Sequence, residues 1–225
     1  MNEMIIGGLL GLASGFAVNR LALFQTGKRV GKNEIPGTVG SVSAAVVMTL
    51  VTGVLFAIIF RLNTEWPKRI EYAAYVLTAV GIGVVDLGIK KIPNASVLAL
   101  LAVRTVAVIY ELVTGGSVKE TLLPSVIGLF AAFILYQLPM LIGIPIGAGD
   151  IKYASAIGFT LGIAGFLQAS LIMALGLAVL LVILKATKKG SSKTKVPMGP
   201  FLSAGAVATI MFPVLSDYIT SRAIL

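Results

Sequence analysis

An apolar run of roughly 20 residues in a row has one common fate, an α-helix that crosses a lipid bilayer. Hydrocarbon offers backbone N–H and C=O groups no partner outside the helix's own ladder. This chain consists of little else: apolar runs cover 4–24, 39–60, 70–87, 95–113, 121–143, 150–166, 168–186 and 199–216. Only 12% of its residues are charged, about half the roughly 25% of a typical water-soluble domain. The stretch 150–186 is too long for one ordinary crossing, and Gly158, Gly162 and Gly165 followed by Gln168 predict a break near 166. The expectation is an all-α polytopic membrane protein of about eight helices, with 1–225 as one membrane-embedded domain. The short basic loops 25–38, 88–94 and 187–198 join its passes on one side. The first run begins almost at Met1 without a basic segment or a small-residue cleavage site, so it reads as a retained helix.

The net charge of +9 lies in loops between the apolar runs, which speaks for membrane orientation and against a nucleic-acid partner. Lys28, Arg29 and Lys32, then Lys90 and Lys91, then Lys188, Lys189, Lys193 and Lys195 all follow odd-numbered helices. The opposite side holds fewer: Arg61, Lys68, Arg69, Lys119 and Arg222. Basic loops face the cytoplasm, so both termini are expected outside. Asp86, ending the third helix, and Asp150, opening the sixth, then fall together at the cytoplasmic face.

Cysteine and histidine are both absent, which removes disulfides, Cys/His metal centres and Ser-His-Asp triads. Chemistry must come from elsewhere. Of nine acidic residues, Glu3, Glu34, Glu65, Glu71, Glu111, Glu120 and Asp217 lie in loops or toward span ends. Asp86 follows Gly81-Ile82-Gly83-Val84-Val85, and Asp150 follows Ile144-Pro145-Ile146-Gly147-Ala148-Gly149. A carboxylate embedded in apolar sequence at membrane depth is costly and marks function by default; the plain alternative is a helix cap or a pair with Lys90, Lys91 or Lys152. Two such carboxylates brought within hydrogen-bonding range cannot easily both ionise and hold one proton between them. One then activates a water while the other donates to a peptide carbonyl, with no metal or cofactor.

These residues resemble a known family. Gly147-Ala148-Gly149-Asp150-Ile151-Lys152-Tyr153 closely resembles the GxGDxK signature of the type IV prepilin peptidases, which are GxGD-type aspartic peptidases. Asp86, followed by Lys90-Lys91-Ile92-Pro93-Asn94, is similar to that family's first catalytic segment. Gly11 through Arg20, ending Phe16-Ala17-Val18-Asn19-Arg20, is similar to its first helix, and Val196-Pro197-Met198-Gly199-Pro200-Phe201 to the entry of its last. The resemblance implies an endopeptidase of the inner membrane, with its active site facing the cytoplasm, that cuts the basic leader from type IV prepilins or pseudopilins. It implies Asp86 and Asp150 as the catalytic carboxylates. Gly147, Gly149, Lys152, Ile92, Pro93 and Asn94 are expected close to substrate. Many bacterial members have a larger first loop with paired cysteines, and also N-methylate the new pilin terminus with S-adenosylmethionine. The short, cysteine-free loop 25–38 departs from that pattern and counts against methyl transfer, the one step that would call for this cofactor.

Other features read more plainly. Gly7, Gly11 and Gly15 recur every fourth residue, as do Gly158 and Gly162, a pattern for close helix packing. Arg104 sits near the middle of its helix, where a charge costs ~2.5–3.5 kcal/mol on insertion scales; a structural polar contact is expected, with Glu111 two turns along the same face. The basic stretch 185–195 suits anionic lipid, and Glu34 is a candidate contact for a basic leader. A proton-coupled transporter or channel using the same two carboxylates is the rival reading.

Overall fold

The computed structural model describes residues 2–187, 196–215 and 217. Nine helical segments follow one another there: α1 (Asn2–Val30), a 3₁₀ turn (Lys32–Glu34), α2 (Gly37–Gly40), α3 (Val42–Arg61), α4 (Trp66–Ile89), α5 (Asn94–Val113), α6 (Val118–Leu141), α7 (Ala148–Ala186) and α8 (Gly199–Met211). No strand occurs among the described residues. Six helices, α1 and α3 to α7, are long and apolar enough to cross a membrane. The protein is an all-α, multi-pass membrane protein. Lys188, Lys189, Lys193, Lys195 and Arg222, used above for orientation, lie outside the described residues.

The first loop is shorter than expected, because α1 runs six residues past 24 to Val30. Hydropathy ends the apolar run, but nothing there ends a helix: Lys28 and Arg29 occupy its last turn, where cations suit the carbonyl end of the dipole. Gly31, with φ of 93°, closes it. Along α1 the four-residue glycine repeat packs as read. A Cβ on Gly7 would stand 2.6 Å from Phe60, one on Gly11 2.7 Å from Phe56, and one on Gly15 2.8 Å from Thr49. The α1–α3 pair then leans on α4 through Val18, Ala22, Val39, Met48 and Val85.

α7 is the unusual element. At 39 residues a straight helix would be about 58 Å long, nearly twice the hydrocarbon thickness. Its contacts show that it doubles back. On α6, Pro124 faces Gly162 and Ala132 faces Gly158, so the first arm of α7 runs antiparallel to α6. Yet Tyr136, further along α6, has its ring centroid 5.9 Å from that of Phe166. A straight α7 would leave those two residues about 20 Å apart along the axis. α8 gives the same answer: Ser203 meets Tyr153, Thr209 meets Gly165, and Phe201 meets Gly176, an order that rises and then falls. The reversal is at Gly162, whose φ of 66° and ψ of −178° belong to a region open essentially only to glycine. α7 is therefore two arms, 148–161 and 163–186, where two passes were expected, and the break lies four residues before the expected one. Composition marked three glycines there without distinguishing the one that takes a positive φ.

Close approach explains Gly128 and Gly158. A Cβ on either would collide with the backbone carbonyl of the other, so α6 and the first arm touch backbone to backbone. Gly162→Ala forces a side chain into a glycine-only conformation and is expected to cost about 1–3 kcal/mol, read as a lowered Tm in detergent. An unchanged Tm would contradict the turn.

Candidate active site

α4 ends where it does for local reasons. Lys90 takes the left-handed conformation (φ 51°, ψ 42°) and its N–H donates to the Asp86 carbonyl at 2.8 Å, capping the helix. Pro93 holds the residue before it away from helix, and α5 restarts at Asn94. Asp86 is thereby fixed in the last turn of α4. Asp150 is fixed in the first turn of α7, its N–H donating to the Gly147 carbonyl at 2.9 Å. The start of α8 comes to the same end of the bundle. Gly199 N–H donates to Asp86 Oδ2 at 2.9 Å, across 113 residues of chain.

The two sequence motifs meet through their small residues. A Cβ on Gly149 would stand 3.2 Å from Cβ of Ile92, and one on Gly147 would stand 2.6 Å from Oδ2 of Asp150. The segment after α4 thus lies against the turn that opens α7, and Asp150 folds back over glycine. Asp86 is 3% exposed, Asp150 is half-buried, and the two stand within electrostatic reach of each other. Ile92 and Pro93 are buried, and Asn94 is exposed at the start of α5. Lys90, Lys91 and Lys152 are exposed, and no ion pair joins them to either aspartate among the described residues. Lys152 is placed near the site without touching either carboxylate. Among the described residues no group of three or more acidic side chains is placed to hold a metal ion.

Sequence reading missed several supports. Arg29 Nη2 donates to the Ile92 carbonyl at 3.3 Å, and Gln25 bonds the Ser96 hydroxyl at 3.0 Å, so the last turns of α1 clasp the Ile92–Ser96 corner. Ser203 of α8 donates to the Ala79 carbonyl of α4 at 2.8 Å and pairs with the Tyr153 hydroxyl of α7 at 2.8 Å. Asn19 is buried against Met48 Sδ, and Arg20 lies over the Phe16 ring on the outer surface. Glu34 is exposed in the 3₁₀ turn.

At the opposite end of the bundle Arg104 finds its partners. Nη1 bonds Glu71 and Glu111, each at 3.1 Å, and Nε bonds the Ser125 hydroxyl at 3.1 Å. Lys68 adds contacts to Glu71 at 2.7 Å and Glu111 at 3.4 Å. A cavity of about 940 Å³ opens beside this cluster between α4 and α5. It is lined by neither aspartate.

No family model matches the chain, and no solved structure does. Two curated relatives match, both named prepilin leader peptidase/N-methyltransferase, from Burkholderia pseudomallei strains 1026b and K96243. Each is 33% identical over 153 residues, which is 65% of this chain and 48% of the relative. By sequence, the chain is similar to these prepilin leader peptidases. It spans about half the length of the curated relatives it matches. The aspartates singled out from sequence stand at one end of the bundle, Asp86 held by the Gly199 N–H and Asp150 folded back over Gly147. A helix N-terminus is a ready anion partner, and Gly199-Pro200 opening the last helix was the available signal for Gly199.

Proposed function

We propose that the chain is an intramembrane aspartic endopeptidase that removes the basic leader from type IV prepilins or pseudopilins at the cytoplasmic face of the inner membrane. The observation that supports this reading is that Asp86, ending α4 with Gly199 bonded to it, and Asp150, opening α7 beside Ile92, lie at one end of the bundle in a chain that offers neither histidine nor cysteine. The relatives' name supports the substrate class.

The chemistry follows from the pair. Two neighbouring carboxylates hold one proton between them. The ionised member takes a proton from water as that water attacks the scissile carbonyl carbon. The protonated member donates to the carbonyl oxygen, giving a tetrahedral gem-diol. The member that took the water proton then gives it to the leaving nitrogen while the other takes a proton from a gem-diol hydroxyl, so that the C–N bond breaks, a carboxylic acid is left and the pair again holds one proton. The glycine at 147 lets the Asp150 carboxylate fold back over the backbone, and the glycine at 149 admits Ile92 of the first motif against the turn that opens α7. Lys28 and Arg29 in the last turn of α1, and Lys90 and Lys91 just after α4, sit at this end of the bundle, which supports its cytoplasmic orientation.

The relatives' name couples two activities. We propose the first alone, because paired carboxylates are what this geometry supplies. Purified protein in detergent is expected to shorten a prepilin at the junction between leader and apolar helix, with the product's new N-terminus at its unmethylated mass. Ion flux in sealed vesicles without any shortened prepilin would favour the transporter reading instead.

A further inference from the structure

We propose that α8 is the positioning element of the aspartate pair: the Gly199 N–H holds the charge on Oδ2 of Asp86, which leaves Asp150 as the member that carries the proton. This rests on the peptidase reading and goes beyond it, because it makes Asp86 the base toward water and Asp150 the acid toward the carbonyl.

Three observations support it. The first is the hydrogen bond itself, 2.9 Å from Gly199 N to Asp86 Oδ2, fully buried. The first N–H groups of a helix have no partner inside it, and the 13-residue α8 directs its positive end at this oxygen. An N–H donor can serve a carboxylate oxygen at full strength only while that oxygen keeps its charge. The second is space. A Cβ at 199 would lie 2.8 Å from Oδ2, 2.9 Å from Cβ and 3.0 Å from Cγ of Asp86, so only glycine brings the amide this close. The third is the Ser203 junction one turn along, where a single hydroxyl meets the Ala79 carbonyl of α4 and the Tyr153 hydroxyl of α7. Tyr153 lies three residues after Asp150 and Ala79 seven before Asp86. α8 therefore sets the spacing of the two aspartate-bearing helices as well as the state of one carboxylate.

The charged and titratable surroundings leave this asymmetry in place. Asp150 faces Asp86 from α7, and Tyr136 of α6 lies within electrostatic reach of Asp150. Lys90, Lys91 and Lys152 are exposed, and Arg29 is engaged with the Ile92 carbonyl. Asp150 has no donor from another helix among the described residues comparable to Gly199.

The chain holds only three aspartates, Asp86, Asp150 and Asp217, which makes a direct test simple. Asp217→Asn protein labelled with ¹³Cγ-aspartate gives two carboxyl resonances in detergent, assigned by Asp86→Asn and Asp150→Asn. On lowering the pH, the Asp150 resonance is expected to take its protonated shift first while Asp86 keeps its ionised one. Asp86 protonating first would overturn the assignment.

A second test removes only the N–H, by replacing residue 199 with glycolic acid so that an ester stands for the amide. Cleavage is expected to fall about ten- to a hundredfold in kcat, the size of a hydrogen bond to a charged group, with KM little changed. The acid limb of the pH profile is expected to move to higher pH. A pH profile and kcat matching the unmodified chain would overturn the proposal, and in that case inactivity of Asp86→Ala would still leave the peptidase reading standing. If the ester chain does not fold, the resonance order alone decides.

Discussion

Asp86→Ala and Asp150→Ala are each expected to lower prepilin cleavage by at least about a thousandfold, within the range that general acid–base groups supply. Neither carboxylate can replace the other, since one must be ionised while the other is protonated. The double variant is therefore expected to be no slower than either single one, as for residues that act as a unit. Gel or mass analysis of the shortened product measures all three. Loss of Asp86 has a second effect that has to be separated from chemistry. It strands the buried Gly199 N–H, an unpaired donor worth about 1–3 kcal/mol. Asp86→Asn avoids this, because its side-chain oxygen still accepts that hydrogen bond while offering no base. It is expected to fold like the parent and to cleave no better than Asp86→Ala. Normal cutting by either alanine variant would end the dyad mechanism.

Why the aspartates were legible from sequence is a matter of cost. Asp86 and Asp150 stand in apolar surroundings that penalise charge, so local sequence alone marked them. Their meeting depends on topology, and charge parity carried that far enough to put them at one end. The reversal in α7 was visible as excess length, but its exact residue was not. Gly158, Gly162 and Gly165 look alike in composition, and they differ in what surrounds them: Gly158 meets a backbone on α6, and Gly162 takes a positive φ. The contacts of the backbone amide at 199 and of Ser203 were illegible for a different reason. A main-chain donor leaves no residue-type signature, and a serine in an apolar helix is most often bonded to its own carbonyls. Arg104 was recognised as costly, whereas Glu71, its partner on α4, lay near a span start and looked solvated.

That partner makes Arg104 the largest expected stability effect in the protein. The side chain of Glu71 is 2% exposed and that of Arg104 7% exposed, and the guanidinium also serves Glu111, Ser125 and the Thr121 carbonyl. It therefore ties α4, α5 and α6 at the end away from the aspartates. Arg104→Ala leaves a buried carboxylate with Lys68 as the one cation still paired to it among the described residues, and breaking a buried pair from one side costs about 3–5 kcal/mol. Arg104→Lys keeps the charge but loses the planar fork that reaches two carboxylates at once, so it is expected to recover part of the loss. Arg104→Met with Glu71→Gln removes both charges and is expected to be more stable than Arg104→Ala alone, which a double-mutant cycle on Tm in detergent measures. From Glu71 to Asp86 is fifteen residues of one helix, about 22 Å. Cleavage per folded molecule is therefore expected to stay close to the parent value in every variant that folds. A large fall in specific activity with Tm intact would mean that the cluster belongs to the catalytic apparatus rather than to the frame that holds it.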